Sequence, residues 1–248
     1  MKKTLLFMLI LALMATGCKK KRALNYNDSD PISMALLDYH QIQASSHHDI
    51  SYTAINSNPN ATIIEVNSDG LIYGKNVGRA KVKLDNSYEE RVIDVIVNLF
   101  REPTFSFGCS VSKIASLYGT PKNEDQGWLP GDSIFYYRYL WGSNITSWTC
   151  PEVDFFFKNG AYYEADAYIK YDFEDLLNNY LTDNFNYYTT LGDTLDVYKY
   201  KKDTTIICCK FASHNPWNEW CVFYYKNEPA NSLDRALKNL PRSSKLRY

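Results

Sequence analysis

Histidine is scarce in this chain, four among 248 residues, and its scarcity excludes most nucleophilic catalysis. A serine or cysteine nucleophile needs an imidazole partner, and three of the four, His40, His47 and His48, lie in the first fifty residues, leaving only His214 beyond them. His214 falls between Cys209 and Cys221, but those cysteines sit in apolar, strand-like runs where thiols act as inert packing groups. The 11 glycines form no clustered loop of the kind that cradles phosphate. His47, His48 and Asp49 are the densest set of ligand types, yet adjacent side chains in a loop do not converge on one ion, and no third ligand follows at a telling spacing. Charge of one sign is also missing: 27 Lys and Arg oppose 28 Asp and Glu, so there is no basic face of nucleic-acid-binding size. The expectation is a non-enzymatic chain with no catalytic residue, metal, small-molecule cofactor or nucleic-acid partner.

Long apolar runs are missing too. Leu5–Ala15 is unbroken but too short to span a bilayer, which takes about 20 helical residues. Lys2 and Lys3 precede the run, and Ala15-Thr16-Gly17-Cys18 follows it, the layout of a secretory signal ending at a cysteine. This resembles the bacterial lipoproteins, with a plain cleaved signal as the alternative. The resemblance implies cleavage before Cys18, a diacylglycerol on its sulfur, palmitate labelling and a membrane partner reached through that lipid. Lys19 in place of Asp resembles an outer-membrane destination, on either leaflet. The basic run Lys19–Arg22 reads as a solvated tether or a contact with anionic head groups.

Five cysteines follow: Cys109, Cys150, Cys208, Cys209 and Cys221. Their odd number leaves at least one thiol free even in an oxidising compartment. Cys208 and Cys209 would point to opposite faces of a strand. What the sequence has in abundance is aromatic residues, with 21 Tyr and 5 Trp, which fit half-wet sheets. The reading is a β-rich exported protein: signal peptide 1–17, lipidated cysteine and linker 18–30, a first domain 31–99, a second domain 101–228, and a tail 229–248 with a short helix on Leu233, Ala236, Leu237 and Leu240.

The first domain offers short alternating segments around Ile42, Ile50–Ile55, Ile63–Val66, Leu71–Tyr73, Ala80–Leu84 and Arg91–Val97, as in a sandwich of seven strands. Ser57-Asn58-Pro59, Ile64-Glu65-Val66, Asp69-Gly70-Leu71-Ile72-Tyr73-Gly74 and Val77-Gly78-Arg79-Ala80-Lys81-Val82 resemble the bacterial immunoglobulin-like domain of group 2. Tyr52 stands near a position where that family commonly has Trp, and Asn60–Thr62 lengthens the first turn. The resemblance implies an all-β immunoglobulin-like sandwich acting as a spacer or adhesion module.

In the second domain Ser110–Tyr118 reads as a helix capped by Ser110 and stopped by Gly119 and Pro121. Ile134–Trp141, Val153–Phe157 and Ala161–Ile169 read as strands, the last two joined by Asn159-Gly160. The order then repeats: a helix over Asp172–Leu181 capped by Asp172, then strands Leu195–Tyr200, Thr204–Ala212 and Cys221–Tyr225. The expectation is an α+β domain of two helix-plus-three-strand halves, forming one antiparallel sheet with both helices on one face. Its plan, with Ser110-Val111-Ser112-Lys113-Ile114 through Gly119-Thr120-Pro121, is similar to the tandem β-lactamase inhibitory proteins, which implies a protein partner on the open sheet face.

Asp154, Glu164 and Asp166 flank the hairpin and are the one carboxylate set suited to glycoside hydrolysis, although alternation on a half-exposed hairpin accounts for them. In Asn215-Pro216-Trp217-Asn218-Glu219-Trp220, tryptophans beside polar residues suit sugar stacking or protein contact. Trp217, Trp220 and Trp128 are therefore the candidate partner-binding residues, with Trp141 and Trp148 as extensions. The functional expectation is a lipid-anchored cell-envelope protein in which a spacer carries a binding domain for a protein or glycan. The alternative is an envelope hydrolase or protein inhibitor acting through the second domain.

Overall fold

Alternating apolar and charged residues build the first unit strand by strand. The computed structural model describes residues 23–56, 61–128, 134–191, 195–212 and 219–226, divided into two units between Asn98 and Leu99. The longest strands of the first are β8 (Gly78–Asp85) and β9 (Glu90–Asn98). Ala80, Val82 and Leu84 of β8 and Ile93, Val95 and Val97 of β9 are buried, while Lys81 and Asp94 pair on the outer side at 3.2 Å. β2 (Ile32–Ala35) lies parallel to β9, and β5 (Ser51–Asn56) antiparallel to β8, giving the order β2-β9-β8-β5. A second sheet has the order β3-β7-β6, from Tyr39–Gln41, Leu71–Gly74 and Ile64–Val66. β1 (Asn25–Tyr26) and β4 (Ala44–Ser45) pair as a short ribbon.

Among the described residues eight strands, β2 to β9, stand from 31 onward where seven were expected, with β1 in the expected linker, and β2 had no counterpart in the expected set. The two larger sheets meet at Gly74, where a Cβ would lie 3.1 Å from Val97 Cγ1 and 3.5 Å from Met34 Cε. Gly70 makes the β6–β7 turn with a φ of +80°, and a Cβ there would come within 2.8 Å of the Tyr52 ring. Tyr52 thus packs over the turn and requires its glycine. Ser57-Asn58-Pro59 lies outside the described residues.

The second unit overturns the α+β expectation. Its described residues are mostly β, a single eight-stranded antiparallel sheet with two short helices, α1 (Val111–Tyr118, 8 residues) and α2 (Glu174–Asn184, 11 residues). Each helix is followed by four strands and not three. After α1 come β10 (Gln126–Trp128), β11 (Ile134–Leu140), β12 (Glu152–Lys158) and β13 (Ala161–Lys170). After α2 come β14 (Phe185–Leu191), β15 (Leu195–Tyr200), β16 (Ile206–Ala212) and β17 (Glu219–Lys226). Their order is β10-β11-β12-β13-β17-β16-β15-β14, so the halves join through β13 and β17. The two outermost strands were the ones missed. β10 is three residues long, and β14, Phe-Asn-Tyr-Tyr-Thr-Thr-Leu, is too polar to stand out as an apolar run.

Ser110 caps α1, its Oγ accepting from Lys113 N, and Gly119 ends it at a φ of +86°. Asp172 does not cap α2: it lies in a 3-10 turn, Tyr171–Phe173, and Phe173 holds the cap position without a side-chain bond. Asn159 and Gly160 both have positive φ in the β12–β13 turn, as a tight hairpin requires. Tyr118 stacks on Phe155 at 5.2 Å, and Phe185 lies 5.1 Å from Tyr200. The opposite side carries a cluster of Leu195, Val197, Ile207, Cys209 and Phe223.

Candidate functional site

The site begins at the β11–β12 connection, Trp141-Gly142-Ser143-Asn144-Ile145-Thr146-Ser147-Trp148-Thr149-Cys150-Pro151. Its small hydroxyl residues supply their own scaffold. Thr146 Oγ1 donates to Leu140 O at 3.1 Å, and Ser147 and Cys150 exchange backbone bonds at 2.9 and 3.2 Å. Thr149 Oγ1 donates to Leu99 O at 2.5 Å, Lys170 N to Thr149 O at 3.1 Å, and the Arg101 guanidinium to Asn144 O. Ile145, Thr149 and Cys150 are fully buried beneath it.

Above this base two large apolar side chains face solvent. Trp141 is 58% and Trp148 50% exposed. Their rings meet edge to face, centroids 5.4 Å apart at 81°. The Lys170 ammonium sits 3.8 Å from the Trp148 ring centroid, a cation–π contact. Neither tryptophan was among the first-choice binding residues. Two Trp seven apart around a Ser/Thr/Asn/Gly loop was the available signal, but sequence alone does not place both rings on one side.

The first-choice residues are dispersed. Trp128 is 64% exposed and packs edge to face on Phe135 at 5.4 Å. Trp220 is half-buried, 5.1 Å from Tyr171, with Lys210 Nζ 4.0 Å from its ring centroid. β10 and β17 are four inter-strand steps apart, about 19 Å at the usual strand spacing. Trp217, His214, Cys18 and the tail helix lie outside the described residues.

The expected carboxylate set is buried rather than half-exposed, a correction to the alternation argument. Asp154 and Asp166 are directly opposite in the β12–β13 register, and with Glu164 all three are at most 2% exposed. They share a face because β-strand side chains alternate and the pairing is in register. Arg138, opposite Asp154 on β11, reaches both of its oxygens at 3.2 Å and Glu152 Oε1 at 3.1 Å. Tyr168 OH donates to Asp166 Oδ2 at 3.5 Å. The forked guanidinium meets Asp154 in the two-point geometry that Arg and a carboxylate favour.

All five described cysteines are free. Cys150, Cys208 and Cys209 are buried, and dehydration pushes their thiols up, away from the reactive thiolate. Cys208 and Cys209 do face opposite ways, against Tyr224 and Phe223 respectively. His47 and His48 are exposed, and His48 packs on Tyr88 at 4.5 Å. Among the described residues no three His, Cys, Asp or Glu side chains converge as a metal site.

No protein-family model matches the chain, and no curated protein matches it either.

Proposed function

We propose that this is a lipid-anchored cell-envelope binding protein in which the first unit acts as a spacer and the second engages a partner through the Trp141–Trp148 loop. The observation that carries the binding role is the exposure of two tryptophans on a loop whose base is hydrogen-bonded and buried. Exposing Trp on a fixed scaffold forgoes burial that each ring would otherwise gain, and a rigid aromatic anchor is what binding surfaces use. The anchor is supported by the Met1–Cys18 layout, and the spacer by its resemblance to the immunoglobulin-like domains of group 2.

Two experiments test the reading. Growth with a palmitate analogue should label the wild-type chain and not Cys18→Ala, and label persisting in Cys18→Ala sinks the anchor. The protein should bind purified cell-envelope material saturably, and Trp141→Ala with Trp148→Ala should weaken that binding about tenfold or more, as expected for paired aromatic anchors. Equal binding by the double variant would remove the loop from the function.

A further inference from the structure

We infer that Trp141, Trp148 and Lys170 form a subsite for an acidic sugar, a pyranose ring bearing a carboxylate; this rests on the loop being a binding surface. The two indoles stand nearly perpendicular at 81° and so make a corner, one ring as a floor and the other as a wall. The C–H face of a pyranose is apolar and stacks on an indole, while its hydroxyls stay in water. Lys170 adds a charge requirement. Its ammonium is placed against the Trp148 ring, 3.8 Å from the centroid, and no ion pair involving it is found among the described residues. A carboxylate on a stacked sugar would neutralise that ammonium over the Trp148 ring, where nearby indole excludes part of the water and strengthens the pair. A neutral sugar would gain the stacking alone.

The corner is also built in advance. Lys170 ends β13, and its backbone N–H is tied to Thr149 O at 3.1 Å, one residue from Trp148. Thr149 is tied in turn to Leu99 O. The backbones that carry the cation and the ring are therefore tied together, which lowers the ordering that binding requires. Trp128, also exposed among the described residues, packs on Phe135 instead.

The test uses the full chain in detergent on immobilised oligogalacturonate and sialyllactose, each beside its uncharged counterpart, galacto-oligosaccharide and lactose. At least one acidic probe should bind about tenfold or more tightly than its neutral counterpart, with affinity falling as salt rises, since an exposed ion pair is screened. Lys170→Met keeps the chain length and should erase the preference while sparing the weak neutral binding. Trp141→Ala and Trp148→Ala should each weaken acidic and neutral probes alike, by about tenfold. Circular dichroism of each variant separates loss of binding from loss of fold. Equal affinity for acidic and neutral probes, or an unchanged preference in Lys170→Met, overturns the acidic-sugar subsite and leaves the loop as a binding surface. Tryptophan-dependent binding to phosphatidylglycerol vesicles with none to the acidic probes also overturns it, in favour of a lipid surface. No tryptophan-dependent binding to sugars, vesicles or envelope material overturns both.

Discussion

Lys210 shows how a single residue sets local stability. It is buried on β16, its ammonium 2.7 Å from Asn178 Oδ1, 3.3 Å from Glu174 Oε1 and 4.0 Å from the Trp220 ring centroid. An ammonium removed from water depends on such partners, and stripping one costs more than the pair itself contributes. Asn178→Leu should therefore destabilise by about 1–3 kcal/mol, while Glu174→Gln, at the solvent edge, should cost about 1 kcal/mol or less. Denaturant midpoints measure both, and the reverse ranking would refute the assignment. Glu102 gives a pH signature. Glu102 is an exposed residue whose carboxylate accepts from Tyr180 OH, and partial dehydration pushes its pKa up against that bond and the Lys202 charge. The folded state then holds the Glu102 proton more tightly than the unfolded one. Its stabilising contribution is present at low pH and is lost as pH rises from about 4.3, the free carboxyl value, through the raised folded value. Glu102→Gln keeps an acceptor for Tyr180 and should flatten the fall in stability across that window. An unchanged pH profile would count against the shift.

At the scale of elements, legibility followed apolar contrast. The Asn159-Gly160 hairpin and the Ser110-capped helix could be read because each depends on local chemistry, positive φ in one and a side-chain acceptor in the other. Replacing Gly160 by Ala should cost about 1–2 kcal/mol, because its φ of +77° disfavours a Cβ although none would clash there. Thermal melts of the full chain would show it, and no shift would mean that the turn re-forms at no cost. β10 and β14 could not be read, since edge strands need less apolar surface, and each pairs on one side alone, with the next strand of the chain. Missing them turned an eight-stranded, mostly β unit into an α+β domain. The Trp141–Trp148 pair was visible as two residues and hidden as a site. Its geometry depends on Thr149 reaching Leu99, a bond spanning 50 positions, and no local spacing encodes that contact. Asp154, Glu164 and Asp166 were misjudged as half-exposed for a related reason: alternation assigns residues to a face but does not say whether that face is covered.

The whole molecule is two units with separate cores, one centred on Val82, Val95 and Ile72 and the other on Phe155, Tyr162 and Tyr224. In the proposed arrangement the first unit would keep its fold whether or not the second is occupied, which independent cores permit. If the cores are independent, a cavity in one lowers only the transition of that unit. Val82→Ala removes two buried methyl groups from the first core and should cost about 1–3 kcal/mol. Phe155→Ala empties more space in the second and should cost about 3–5 kcal/mol. Scanning calorimetry of the full chain should resolve two transitions, with Val82→Ala lowering one and Phe155→Ala the other. Adding an acidic sugar that occupies the Trp141–Trp148 corner should raise only the transition that Phe155→Ala lowers, because a ligand stabilises the unit that folds around its site. A single transition moved by both substitutions would instead make the two units one cooperative body, and occupancy of the second would then be felt in the first.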